Sequence, residues 1–467
     1  MIDSIVLDYD ALGKYTLLTS LLLICAIVPL LLIALALVHR WLRSIPRLVL
    51  VSLILVLVVA AYLRIFLYPH LFTLYLDDYY PLEIANKIVH LDFSSLNSVF
   101  VANALIFVPA FALFGVGFKS GMYVAIALSI ASLILFFTLA YLLTKDYLAA
   151  LIATALMSLQ PSHIQYSFST YNHIPIFFGL MLALSAFFSY FETRKKSLLY
   201  LSLLCILFLL EMRTEILLLV PILLMYFIIK EKNNLRKAFT WVPWAVFGLG
   251  IAALIPKFFF FNLNHLNYTL MSISNFLRNL GVANELLGVS FIGLPFLVVG
   301  LVAAIYKKNF GLLALSCIAT GFLALVLSME FSQIQGARHL HFTIAVMYLL
   351  FGSGICFLLG LIRNKHAKVA SVGIVVLAIV IQGLMHNVSL VNAQKTSLPF
   401  NLIYFDTRLP EYAAAIIPLH CTIVSPHPAK YSALTDLKAI PVEQFLFDPN
   451  GYMGKGCIVF AEDLSCS

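Results

Sequence analysis

The sequence predicts a polytopic α-helical membrane protein on three observations: its composition, its recurring long apolar stretches, and the sorting of its basic residues between them. Of 467 residues, 62% are hydrophobic and only 11% charged, with a mean hydropathy of +1.01. Soluble domains carry about 25% charged residues, so a water-facing surface for a chain of this size is excluded. Apolar stretches run over 15–38, 48–68, 99–116, 120–143, 147–160, 173–191, 197–210, 216–229, 238–261, 286–305, 310–328, 340–361 and 367–386. A helix needs about 20 such residues to cross the hydrocarbon. The first stretch is too long for a signal-peptide core and lacks a small-residue cleavage site, so it reads as a span.

The net charge of +8 does not point to nucleic acid, because the basic residues are confined to particular connectors. Arg40/Arg43/Arg47, Lys145, Arg194/Lys195/Lys196, Lys230/Lys232/Arg236/Lys237, Lys307/Lys308 and Arg363/Lys365/Lys368 hold 16 of the 29 Lys and Arg. The same six connectors hold only Asp146, Glu192 and Glu231 of the 21 acids. The positive-inside rule assigns them to the cytoplasm. Parity then demands that 99–116 does not cross. Asn103, Pro109 and Gly115 interrupt that stretch, which reads as a juxtamembrane segment beside about twelve crossings. The amino terminus, the loop 69–98, the segment Pro161–His173, the Glu211–Glu215 corner, the loop 262–285, the segment Glu330–His341 and the tail after 386 all fall outside. So do two Asn-x-Ser/Thr triplets, at Asn267 and Asn387.

Two domains follow: a transmembrane domain over 1–386 and a small extracytoplasmic α/β module over 387–467. In the tail, Glu411 to Ile417 reads as a helix, and Cys421 to Ser425 and Cys457 to Ala461 as short strands between Pro- and Gly-rich turns. Cys25, Cys205, Cys317 and Cys356 sit in apolar stretches and read as core filler. Cys421, Cys457 and Cys466 lie in the tail, where one pair suits a disulfide if the compartment is oxidising.

The chemistry-bearing residues collect on the external face. Asp77 and Asp78 follow an apolar span by about ten residues, and ionisable groups at a membrane surface are functional candidates by default. An ionised carboxylate there suits a general base, or one ligand of a divalent cation; a solvated loop is the plain alternative. Tyr79, with Tyr75 and Tyr80, fits an interfacial belt or a sugar-stacking surface. In Glu211-Met-Arg213-Thr-Glu215, Arg213 suits a phosphate clamp, and the cluster equally suits an ion-paired corner. Arg338 and His339 open a late span, where charge and free amides favour an anion, unless Arg338 merely snorkels to water. Gln160, His163, Asn172 and His173 either hydrogen-bond a sugar, support the carboxylates, or form a plain polar loop. No phosphate-binding Gly-rich loop, nucleophile elbow, dinucleotide fingerprint or zinc-site spacing is present.

On these residues the chain resembles the GT-C integral-membrane glycosyltransferases, within the protein O-mannosyltransferase and aminoarabinose-transferase-like superfamily. Leu76-Asp77-Asp78-Tyr-Tyr-Pro-Leu-Glu83 is similar to the acidic pair of that superfamily's first external loop. Ala104–Gly117 resembles its juxtamembrane helix, Leu148–Ser167 the helix and loop that follow, and Ala337-Arg338-His339 the Arg-Tyr pair of a late helix. The resemblance implies an enzyme using a polyprenyl-phosphate-linked sugar as donor and a protein, lipid or glycan hydroxyl as acceptor. Its site would face the extracytoplasmic side of a multi-pass cell-membrane protein. Asp77 would be the base, Asp78 its orienting partner, and Arg213 and Arg338 would stabilise the departing phosphate, with inversion at the anomeric carbon. Glu215, His339, Tyr79, Asn172 and His173 would complete the substrate site. A divalent metal is left open, held by Asp77 and Asp78 if used.

Departures bear on this expectation. Relatives commonly carry an acid where this chain has Asn172 and His173, and a Tyr where it has His339; the span 15–38 is an additional crossing. No Trp-Trp-Asp signature is present, so whole-glycan transfer to Asn is not expected. Two other readings remain: a transporter or flippase for a lipid-linked sugar, which should show repeated halves, and a non-catalytic scaffold on the same fold.

Overall fold

The computed structural model describes residues 9–42, 45–67, 79–94, 96, 100–232, 244, 247–252, 294–328, 340–364, 366–381, 383, 385, 387, 422–425, 438–441 and 458–460. The helices in order are α1 (Tyr9–Leu42), α2 (Arg47–Tyr62, continued by a π-turn over Leu63–Leu67), α3 (Tyr79–Val89), α4 (Val101–Phe114) and α5 (Phe118–Thr144). They are followed by α6 (Tyr147–Ser158), the short α7 (Pro161–Tyr166), α8 (His173–Thr193) and α9 (Lys196–Met212). A 3₁₀ turn (Thr214–Leu218) leads into α10 (Leu219–Glu231), and α11 (Leu294–Tyr306), α12 (Phe310–Ser328) and α13 (His341–Leu361) come later. Among the described residues, five helices are long and apolar enough to cross a membrane: Leu12–Ile33, Arg47–Phe66, Lys119–Thr144, His173–Thr193 and His341–Leu361. The protein is a membrane protein built largely of helices.

Among the described residues, the basic connectors at Lys145, Arg194 and Lys308 are tight corners. Lys145 and Arg194 adopt left-handed backbone conformations (φ 56° and 58°) that end α5 and α8. Their amides bond back to Tyr141 O at 2.8 Å and Tyr190 O at 2.7 Å. A cation at this position also meets the negative end of the helix dipole. Asp146 then starts α6 by accepting from the Leu148 and Ala149 amides at 2.8 and 3.3 Å. The acids that accompany these connectors tie the corners together. Lys145 pairs with Glu192 at 2.6 Å, and Arg194 pairs with the buried Glu231. Asn309 donates to Leu143 O at 2.6 Å, and the Asp146 carboxylate meets Cys356 near the end of α13.

The start of α2 belongs to this same end. Arg64, at the far end of α2 from Arg47, donates to Ser158 O at the far end of α6 from Asp146. The two helices therefore run parallel. The opposite end of the bundle holds the residues after α2, the start of α5 and the turn between α6 and α8. There Thr170 meets the starts of two helices: Asn103 in the first turn of α4 donates to Thr170 O at 3.0 Å, and a Cβ at Gly121 in the first turn of α5 would lie 3.0 Å from Thr170 Cγ2. With 14 residues, α4 is about 21 Å long, against about 30 Å of hydrocarbon. Its last turn is bare, Leu113 and Phe114 being 76% and 77% exposed.

Helix contact is closest where glycine removes the side chain. A Cβ at Gly300 would stand 2.0 Å from Leu350 O, and one at Gly354 2.2 Å from Phe296 O, so α11 and α13 touch backbone to backbone. Gly352 lies likewise against Ala149 O of α6. In the tail, Thr422–Ser425 (β1), Lys438–Pro441 (β2) and Ile458–Phe460 (β3) form a parallel sheet in the order β2-β1-β3. Two of these strands fall on the segments read from the sequence. The middle one in chain order does not, since Lys438-Ala-Ile-Pro441 carries a lysine and a proline in four residues and gives little strand signal. The helix expected over Glu411–Ile417 lies outside the described residues. Asn387 does not behave as an exposed glycosylation triplet: its amide is buried and donates to Leu159 O at 2.9 Å and Gly383 O at 2.7 Å. Asn267 lies outside the described residues.

The glycine contacts set a stability test. Gly354→Val must push α11 from α13 and should cost about 1–3 kcal/mol. Gly360→Ala, where a Cβ meets nothing within 4 Å, should be neutral. Thermal unfolding of the detergent-solubilised protein distinguishes the two.

Candidate functional site

Asp77, Asp78, Arg338 and His339 lie outside the described residues, while Tyr79, Asn172, His173, Arg213 and Glu215 lie within them. The described members all sit at the end of the bundle opposite the basic corners. They are joined by two chains of contact, one aromatic and one polar.

The aromatic chain begins beside the acidic pair. Tyr79, the residue after Asp78, is 1% exposed and packs into the small cluster formed by Leu82, Phe100, Ala104 and Phe107. It is a core residue of this end of the bundle. Tyr80 stacks on Phe100 at 5.2 Å between centroids, Phe100 meets Tyr171 at 5.8 Å, and Tyr171 meets His173 edge-on at 4.8 Å. His173 stacks on His341 at 6.4 Å, and Tyr166 lies edge-on to both. His341 is the first residue of α13, two positions after His339. The start of α3 and the start of α13 are thus linked through the turn that carries Asn172 and His173.

The polar chain reaches the Arg213 corner. Asn172 is buried and donates to Met212 O at 3.5 Å. Arg213 is in extended conformation (φ −153°, ψ 124°), which breaks the helical path between α9 and the 3₁₀ turn holding Glu215. Glu211, 2% exposed, accepts from Thr19 Oγ1 at 2.7 Å, which fastens α1 to the same corner. The span read as an additional crossing therefore contributes a hydrogen bond to the corner that bears Arg213.

Beneath the turn lies a group that the sequence reading passed over. Arg64 is fully buried at the end of α2. Its Nε donates to Ser129 Oγ at 2.9 Å, its Nη1 to Ala60 O at 2.9 Å and Ser158 O at 3.3 Å, and its Nη2 to His163 Nδ1 at 2.6 Å. The other nitrogen of His163 faces Ser132 Oγ at 3.3 Å, and its ring is edge-on to Phe177 at 5.2 Å. Gln160 bonds Tyr348 of α13 from the same turn. The signal was available: a lone arginine within the apolar stretch 48–68 is costly enough to mark a functional or structural role. Among the described residues no three His, Cys, Asp or Glu side chains are grouped to hold a metal ion.

No protein-family model matches the sequence, and no curated protein matches it. Solved structures do match. The archaeal oligosaccharyltransferase AglB from Archaeoglobus fulgidus, in complex with an inhibitory peptide and a dolichol-phosphate, aligns with TM-score 0.54 and 13% identity. That match covers 86% of this chain and 65% of AglB, so this chain spans less than two thirds of that protein. ArnT from Cupriavidus metallidurans bound to undecaprenyl phosphate aligns with TM-score 0.56 and 11% identity, over 88% of this chain and 89% of ArnT. The apo state of ArnT aligns with TM-score 0.57 over 88% of each chain. The chain shares its fold with these structures.

His163 makes stability depend on pH. Burial, then the charge of Arg64 and the neighbouring His341, hold its pKa well below the ordinary 6.5. Below about pH 6.5 the unfolded chain therefore binds a proton that the native state refuses. Stability should fall by up to about 1.4 kcal/mol per pH unit until the native pKa is reached. His163→Gln, which cannot titrate, should remove this component from the dependence of Tm on pH.

Proposed function

We propose that this protein is a glycosyltransferase that moves a sugar from a polyprenyl-phosphate-linked donor to an acceptor hydroxyl. The observation that carries the reading is the fold it shares with AglB and ArnT, one solved with a dolichol-phosphate and the other with undecaprenyl phosphate. The gathering of Tyr79, Asn172, His173 and Arg213 at one end of the helices supports a single site there, Tyr79 being the residue that follows the acidic pair in sequence.

In this reaction Asp77 removes the proton of the acceptor hydroxyl as its oxygen attacks the anomeric carbon. The bond from that carbon to the phosphate oxygen breaks on the opposite face, and its electron pair leaves with the lipid phosphate. Arg213 and Arg338 stabilise the growing negative charge, which a guanidinium does best in a site with little water. Asp78 and His339 orient the acceptor and the phosphate, and Glu215 orients Arg213. Configuration at the anomeric carbon inverts. Where a divalent ion takes part, Asp77 and Asp78 are its ligands.

The site faces the extracytoplasmic side in this proposal. Its support is the collection of the described basic corners at the opposite end, together with a 14-residue α4 whose first turn meets Thr170, as the first turn of α5 does. The sheet β2-β1-β3 belongs to a small α/β domain over 387–467 on the same side as the site.

Purified protein assayed with a panel of polyprenyl-phosphate sugars tests the reading. Asp77→Asn should lower kcat by about 10²–10⁴, while unfolding and lipid binding remain near native. Arg213→Ala should lower it by about 10²–10³. Native turnover in a folded Asp77→Asn variant would remove the base, and lipid-linked sugar crossing vesicle membranes without bond formation would replace the enzyme with a transporter.

A further inference from the structure

The geometry points to Arg64 and His163 as positioning residues, a latch that sets the turn 159–173 against the end of α2 and thereby places Asn172 and His173 at the site. This inference deepens the glycosyl-transfer reading and rests on it for what the turn positions.

The latch follows from the donor and acceptor inventory. A guanidinium has donors only. The atom of His163 that meets Arg64 Nη2 at 2.6 Å must therefore be an acceptor. Nδ1 carries the lone pair, and the ring proton sits on Nε2, facing Ser132 Oγ at 3.3 Å. Ser132 donates its own proton to Ser129 O at 2.7 Å, so its oxygen is left to accept. Ser129 Oγ in turn accepts from Arg64 Nε at 2.9 Å. Thus α2, α5 and α7 are held by bonds of fixed direction, and the two made by His163 require its neutral ring in a single tautomer.

The position of Arg64 explains why this matters for the site. Thirteen residues separate it from Asp77 along the chain. Through Ser158 O and His163 it grips both sides of the α6–α7 turn. Gln160 ties the same turn to α13, and Asn172 ties its other side to α9. The segments that carry the acidic pair, the second external loop and the start of α13 all leave from elements that this one turn touches. Other groups facing His163 are Phe177 of α8 and His341 of α13, with ring centroids at 5.2 and 6.1 Å. Ring packing and hydrogen bonding are therefore separable by substitution.

His163→Phe keeps the ring against Phe177 and His341 but offers Arg64 no acceptor. His163→Gln loses the ring and keeps a carbonyl that accepts. Arg64→Met removes the donors. Each variant is placed in lipid nanodiscs, and amide hydrogen exchange is followed over residues 159–173, with undecaprenyl phosphate alone as the binding probe. His163→Phe and Arg64→Met should speed exchange of this segment about ten-fold or more, whereas His163→Gln should stay within about two-fold of native. Undecaprenyl phosphate affinity should fall in the first two and be retained in the third. A tolerated Phe with a disordered Gln variant would show that the site needs only the ring, and would overturn the latch. If exchange follows the expected pattern while undecaprenyl phosphate binds none of the four proteins, the latch stands and the lipid-phosphate reading fails; if it binds all four alike, the latch does not place the site and this inference fails.

Discussion

A guanidinium with no accessible surface is the constraint around which the polar end of this protein is organised. Placing such a charge away from water costs several kcal/mol unless its donors are met. Arg64 meets them with two backbone carbonyls, a serine hydroxyl and an imidazole. Each partner comes from a different stretch of chain: its own helix, α5, the end of α6, and α7. The cost of burial thus fixes where four segments stand relative to one another. Hydrophobic packing between apolar helices has less power to do this, because lipid tails cover an apolar face as well as another helix does.

The other end of the bundle is held by a different device. There the connectors at Lys145, Arg194 and Lys308 are two- or three-residue corners with a basic residue in the left-handed conformation, and Glu192 and Glu231 pair with the first two. Short corners leave little freedom in how adjacent helices meet. The contrast with the site end is physical: long polar connectors can present side chains to a substrate, and tight corners cannot. Between the ends, glycine lets α11, α13 and α6 approach backbone to backbone, which gives the dispersion contact that association in lipid requires.

Much of this was legible in the sequence. Apolar stretches at 120–143, 173–191, 310–328 and 340–361 match α5, α8, α12 and α13 closely, because a helix in hydrocarbon must satisfy its own backbone along its whole length. Lys145, Asp146 and Arg194 mark corners for the same reason. The polar residues at the site end could be identified by type, yet their partners could not. Nothing in the local sequence says that Asn387 meets Leu159, that Thr19 meets Glu211, or that Arg64 meets His163 across 99 positions. Those contacts are fixed by helix packing, for which one sequence carries no direct signal. Tyr79 shows the same gap from the other side: an aromatic beside two acids looks like a stacking platform until its burial is seen.

Asn172 shows how such a contact can decide chemistry. Its amide nitrogen faces the Met212 carbonyl, an acceptor only, so the orientation of the side chain is fixed and the position needs a donor. An ionised acid there would point a carboxylate at a carbonyl in a buried site, which is strongly unfavourable. In this chain the side chain serves to join the turn to the end of α9, beside the buried Glu211. The turn that carries Asn172 supplies shape and hydrogen bonds, and its geometry passes through Asn172 to Met212 and the Arg213 that follows.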